Sequence, residues 1–207
     1  KRVPKSVLRE GVFLLGLNLS FALMVSVDKL VIGKMLPYDR LAVYASIFAV
    51  MRGFDFLFYS ISYVLMPRVN VIRKLEFRKY NGIIAAVAAA VTAIYLLIGD
   101  EVVHFLYKGN YDEGSVLILP FALSGIAKLF YSVPSSVIGG RMPRPALKQF
   151  MWFNLSAVVV HIGLDITMIS AMGIMGAAIA SAIAWTLRLA GGYVIIALHR
   201  AHLDGPP

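Results

Sequence analysis

Six stretches of this chain are each about long enough and apolar enough to cross the hydrocarbon core of a membrane, and nothing else limits its fold so strongly. A spanning helix needs about 20 mostly apolar residues, because lipid offers backbone N–H and C=O groups no partner and a helix satisfies them internally. The stretches cover about 11–32, 41–66, 82–98, 115–138, 150–172 and 174–198. Composition agrees. Apolar residues make up 59% of the 207, and charged residues 15%, against about 25% charged in a soluble domain. That excess has to face lipid. The expected fold is all-α integral membrane, a six-helix transmembrane bundle over residues 1–198 with a polar tail at 199–207.

Glycine, proline and charge punctuate the spans. Gly33-Lys34 before Pro37 ends the first, and Pro67-Arg68 ends the second. The segment DEVVHFLYKGNYDE, from Asp100 to Glu113, is too polar and short to span and reads as an interfacial turn or short amphipathic helix. Pro120 and Pro134 predict kinks in the fourth span, Gly139-Gly140 a loop after it, and Gly173 a tight turn between the last two. In the sixth, GIMGAAIASAIA repeats small residues that let a neighbouring backbone approach closely.

The basic residues set an orientation. Thirteen of the 20 Lys and Arg fall in the N-terminal segment, the second and fourth connections and the tail. Three (Lys34, Arg40 and Lys108) fall on the other side, and four (Lys29, Arg52, Lys128 and Arg188) lie inside spans. The positive-inside rule places both termini in the cytoplasm of a multi-pass cell-membrane protein. The net charge of +9 is therefore topological, and no nucleic-acid partner is expected, since such a binder gathers its bases on one polar face. The chain opens at Lys1 rather than Met, with a first apolar run of full span length and no cleavage site, which fits a piece of a longer protein better than a signal peptide.

Ionisable groups within spans are costly and by default functional. Arg52, Asp55, Tyr59 and Ser62 recur at helical spacing in the second span. Lys128 lies in the fourth span one turn after Ser124; Asn154, His161 and Asp165 share a face of the fifth, and Ser181, Trp185 and Arg188 a face of the sixth. Asp28 and Lys29 sit near the outer end of the first, where Lys29 can snorkel to the interface. Two readings follow. In one, Arg52, Lys128 and Arg188 line a hydrated cavity tempered by Asp55 and Asp165, suited to phosphate or pyrophosphate. In the other, Arg52 pairs with Asp55 and His161 with Asp165 along their own helices, and the charges only hold the bundle together. His161 beside Asp165 is also a candidate proton or sodium site. No Walker loop, HExxH or GxSxG occurs, and the histidines lack metal-ligand spacing, so neither an enzyme, a metal nor a cofactor is expected.

Several segments carry a family resemblance across nearly the whole chain. VDKLVIGKMLPYDRLAVYASIFAV and SYVLMPRV resemble the opening of the second lobe of polysaccharide-type flippases. HFLYKGNYDEGSVLILPFAL, IGGRMPRPALKQFMWFNL and MGIMGAAIASAIA resemble the C-terminal region of the same family. The chain is thus similar to one lobe of the multidrug/oligosaccharidyl-lipid/polysaccharide exporter superfamily. That resemblance implies a MATE-like fold of two six-helix lobes around a central cavity, alternating access, and a lipid-linked sugar held by cavity bases. It also implies a partner: a missing N-terminal lobe or a second copy. The expected function is flipping of a lipid-linked oligosaccharide or polysaccharide precursor from the inner to the outer leaflet. The alternatives are a cation-coupled multidrug exporter, which calls for an acidic cavity, and a non-transporting membrane subunit of glycan assembly.

Overall fold

The computed structural model describes residues 5–71 and 76–202, and they are helical almost throughout, with no strand among them. The helices are α1 (Lys5–Met35), α2 (Tyr38–Val50), α3 (Gly53–Val71), α4 (Phe77–Tyr107), α5 (Ile118–Arg141), α6 (Arg144–Met172) and α7 (Ile174–Leu198). Five are long and apolar enough to cross a membrane singly, and α2 with α3 qualifies as a bent pair. Beyond α7 a 3-10 turn covers Arg200–His202; the rest of the expected tail lies outside the described residues.

The expected second span is therefore not one continuous helix. It breaks at Met51–Arg52 with a bend of 43°. Glycine at position 53 weakens the helix there, and a side chain on it would run into the hydroxyl of Tyr95. That hydroxyl donates to the Val50 carbonyl at 2.9 Å, satisfying an acceptor at the helix end. The pair still runs the length of the bundle. At one end Arg40 bonds Glu113 at 3.2 Å, just before α5; at the other a Cβ on Gly140, in the last turn of α5, would meet the Met66 carbonyl at 2.8 Å.

Three further expectations are corrected. Pro67 does not end its helix, which continues to Val71. The polar segment from Asp100 does not turn at once but extends α4 to Tyr107, where Lys108 (φ 54°) and Gly109 (φ 80°) close it with a left-handed cap. A 3-10 turn, Asp112–Leu117, then leads into α5. Gly139-Gly140 is not a loop; both residues belong to α5, where their bare backbone receives Met66 and Val69 of α3. Gly173 does make the expected turn, at φ 61° and ψ −142°, a region essentially reserved for glycine.

Helix α5 is the hub. It packs on α3, α4 and α7; α7 packs on α6, and α6 on α1. Most of its residues are buried, whereas α4 turns Leu96, Leu97, Phe105 and Leu106 outward. The resulting arc nearly closes where Phe21 of α1 stacks on Phe58 of α3, ring centroids 4.9 Å apart.

Candidate functional site

Arg188 gathers four helices. It lies on α7, 1% exposed. Its Nε donates to Asn154 Oδ1 of α6, and its Nη2 to Ser20 Oγ of α1 at 3.1 Å and to Tyr131 Oη of α5 at 3.2 Å. Tyr131 also donates to Asn154 Oδ1 at 2.7 Å. The guanidinium lies over the rings of Tyr131 and Trp185, 4.9 and 4.8 Å from their centroids. Every partner is neutral, so the full positive charge stays inside the bundle, and Nη1 has no hydrogen-bond partner.

Arg188 also lines a cleft of about 250 Å³ between α1 and α3, floored by α5. Asn18, Tyr59, Ser62, Tyr63 and Ser135 supply its polar atoms, and Phe21, Phe58 and Met66 its apolar wall. The chemistry is a donor-rich pocket with a guanidinium in its lining. A larger groove of about 540 Å³ between α6 and α7, lined by Trp152, Phe153, Leu187 and Val194, carries no ionisable side chain.

Lys128 is neutralised in place. Its ammonium pairs with Asp55 of α3, both buried, and lies 4.9 Å from the centre of the Trp185 ring. The expected Arg52–Asp55 pair is thereby corrected. Arg52 falls at the α2–α3 break, is exposed, and does not line the cleft.

A second buried cluster lies about two turns from the Arg188 network along both α1 and α6. Asp28, His161 and Asp165 bring one ligand atom each within 4.8 Å of one another, all fully buried. His161 Nε2 is 3.0 Å from Asp28 Oδ1 and 3.6 Å from Asp165 Oδ1, the latter being the expected pairing along one helix. The approach lacks hydrogen-bond alignment, so Asp28 Oδ1, both Asp165 oxygens and both His161 nitrogens have no hydrogen-bond partner. Tyr44 Oη donates to Asp28 Oδ2 at 2.6 Å. Polar atoms gathered away from water without aligned hydrogen bonds are costly, and a shared proton or a hard cation would offset that cost.

Of the residues singled out in the sequence, Arg188, Lys128, Asp55, His161 and Asp165 are buried, and of the three bases only Arg188 lines the cleft. Sequence reasoning missed Asp28 as a buried group, because α1 runs on to Met35 and places Asp28 two turns inside the helix end. The available signal was the eight-residue spacing of Ser20 and Asp28, which puts both on one face. Nor does Lys29 snorkel outward: it folds back, donating to the Val25 carbonyl, and sits 3.9 Å from the centre of the Phe48 ring.

Long apolar helices with charged groups sealed among them define the class, a multi-pass helical membrane protein with an ionisable interior. No protein-family model, curated protein or solved structure matches the chain.

Proposed function

We propose that this chain is one lobe of a membrane transporter that moves a lipid-linked sugar precursor from the inner to the outer leaflet by alternating access. Arg188 carries the reading: a guanidinium with no counter-charge, buried among membrane-spanning helices and part of the lining of a cleft, with Nη1 buried and lacking a hydrogen-bond partner. A phosphate or pyrophosphate head group is the ligand that such a planar donor set suits. Asn18, Tyr59, Ser62 and Tyr63 offer partners to sugar hydroxyls, and the lipid tail would stay outside, between α1 and α3. The cleft is walled from one lobe only, so a second lobe or a second copy would complete it. Asp28, His161 and Asp165 would seat the coupling proton or cation.

A second reading, the cation-coupled drug exporter, draws support from charge. Counted by burial, the acids Asp28, Asp55 and Asp165 outnumber the bases Lys128 and Arg188 among the described residues, reversing the balance expected from the sequence. The third, a non-transporting subunit of glycan assembly, requires Arg188 to be structural alone.

Complementation of a flippase-deficient strain by the full-length gene separates the three. Arg188→Gln, at wild-type membrane level and melting temperature, is expected to lower surface-glycan export about tenfold or more, the worth of one charge-assisted contact. Arg188→Lys should recover part of it, and Arg52→Gln should export normally. Failure of the wild type to restore export would reject the lipid-linked substrate. Undiminished export by Arg188→Gln would reject Arg188 as its phosphate site, and drug efflux that collapses in Asp165→Asn would favour the exporter.

A further inference from the structure

Helix α3 has two unlike faces. Phe58, Tyr59, Ser62 and Met66 turn to the cleft, whereas Ile61, Val64, Leu65 and Arg68 turn the opposite way, as steps of about 100° per residue require. On that far side lies a wedge of about 360 Å³ between α3 and α4, walled also by Ile84 and Val87.

The wedge has a physical cause. Both helices pack on α5 but not along one another. At one end Tyr95 of α4 joins them, stacking on Phe54 with ring centroids 5.4 Å apart. Toward the other end Tyr193 of α7 reaches α4, its Oη donating to Asn81 Oδ1 at 2.7 Å. Between α3 and α4 this leaves a slot, apolar along Ile61, Val64, Ile84 and Val87, with Arg68 and Tyr80 at one end.

That end is basic. Arg68 lines it and is exposed, as are Arg78 and Lys79, which directly precede Tyr80 in α4, while Glu76 lies 4.0 Å from Lys79. Arg68 has no ion pair or side-chain hydrogen bond among the described residues.

We propose that the wedge binds an anionic glycerophospholipid of the surrounding bilayer, one acyl chain between α3 and α4 and the phosphate on Arg68. Basic pockets between spanning helices hold anionic head groups in this way. An apolar slot that ends on an exposed arginine matches one acyl chain joined to a phosphate, apolar along its length and anionic at one end. The transported substrate is not the occupant either, because α3 stands between this slot and the cleft at Arg188. A lipid seated here braces the helix that forms the cleft wall, and its binding does not depend on what the cleft carries.

The test is lipid retention by the full chain, purified in detergent, delipidated and titrated with phosphatidylglycerol or phosphatidylcholine. Native mass spectrometry counts the lipid retained, and thermal melting reports folding. Wild type should retain phosphatidylglycerol roughly tenfold better than phosphatidylcholine, as expected for one charge-assisted contact. Arg68→Gln should remove that preference, Arg68→Lys should keep most of it, and Val64→Trp, which fills the slot, should reduce retention of both lipids. Leu96→Trp, on the opposite face of α4, should retain lipid like wild type. Equal retention of the two lipids by wild type would overturn the proposal, as would an unchanged preference in Arg68→Gln. Displacement of phosphatidylglycerol by added polyprenyl phosphate would also overturn it, assigning the slot to the transport path.

Discussion

Lys128 and Arg188 are both buried cations, yet their surroundings differ in kind. Lys128 meets a carboxylate on a neighbouring helix, whereas Arg188 meets only neutral oxygens and aromatic faces. Removing one member of a buried pair strands the other, at about 3–5 kcal/mol, whereas replacing both with apolar residues is often neutral. Lys128→Met is therefore expected to lower stability by about that much, and the double variant Lys128→Met with Asp55→Leu to regain most of it. Equilibrium unfolding in detergent would check this; a double variant no more stable than the single one would mean that Asp55 has another obligatory partner. The residue scale was partly legible beforehand. Asn154, His161 and Asp165 share a face in sequence and are all fully buried, as are Trp185 and Arg188 at the same kind of spacing. Partner choice was not legible, because helical spacing finds neighbours within one helix, and Asp55 chose a lysine 73 positions away.

Between helices, small residues decide how close the backbones come. A methyl group on Gly125 of α5 would lie within 2.7 Å of the Phe54 ring on α3, and that ring is itself buried against Tyr95. Gly125→Ala should therefore destabilise the bundle by about 1–3 kcal/mol through overpacking. Gly82, where an added Cβ meets nothing within 4 Å, provides the contrast: Gly82→Ala should melt at or slightly above the wild-type temperature. Equal melting temperatures for the two variants would contradict the tight α3–α5 seam. The last span was legible to the residue, 174–198, because Gly173 and the polar tail bound it. The second was not. Its apolar run is continuous, and the bend depends on Tyr95 of another helix, which no local pattern reveals.

At the scale of the molecule the bent pair decides how many times the chain crosses the bilayer. Counted as one span it gives six crossings and returns Lys34 and Lys108 to the same side; counted as a re-entrant loop it separates them. The contact of Arg40 with Glu113 favours the same side. Cysteines introduced in this cysteine-free chain at Lys34, Lys108 and Lys148 should thus react with an impermeant maleimide in intact cells at the first two positions only. Labelling that separates Lys34 from Lys108 would leave five spans. That the chain forms long apolar helices was legible from apolar length, whereas the hub position of α5 was not, since its hydropathy matches that of helices left largely exposed.

The order in which the buried groups leave the ribosome adds a consequence. Asp55 is synthesised before Lys128, and all three hydrogen-bonding partners of Arg188 (Ser20, Tyr131 and Asn154) precede it. Each cation therefore enters the membrane after its oxygens have been made. The insertion machinery can hand α5 and α7 sideways to helices already waiting, and neither charge need face bare lipid on the way.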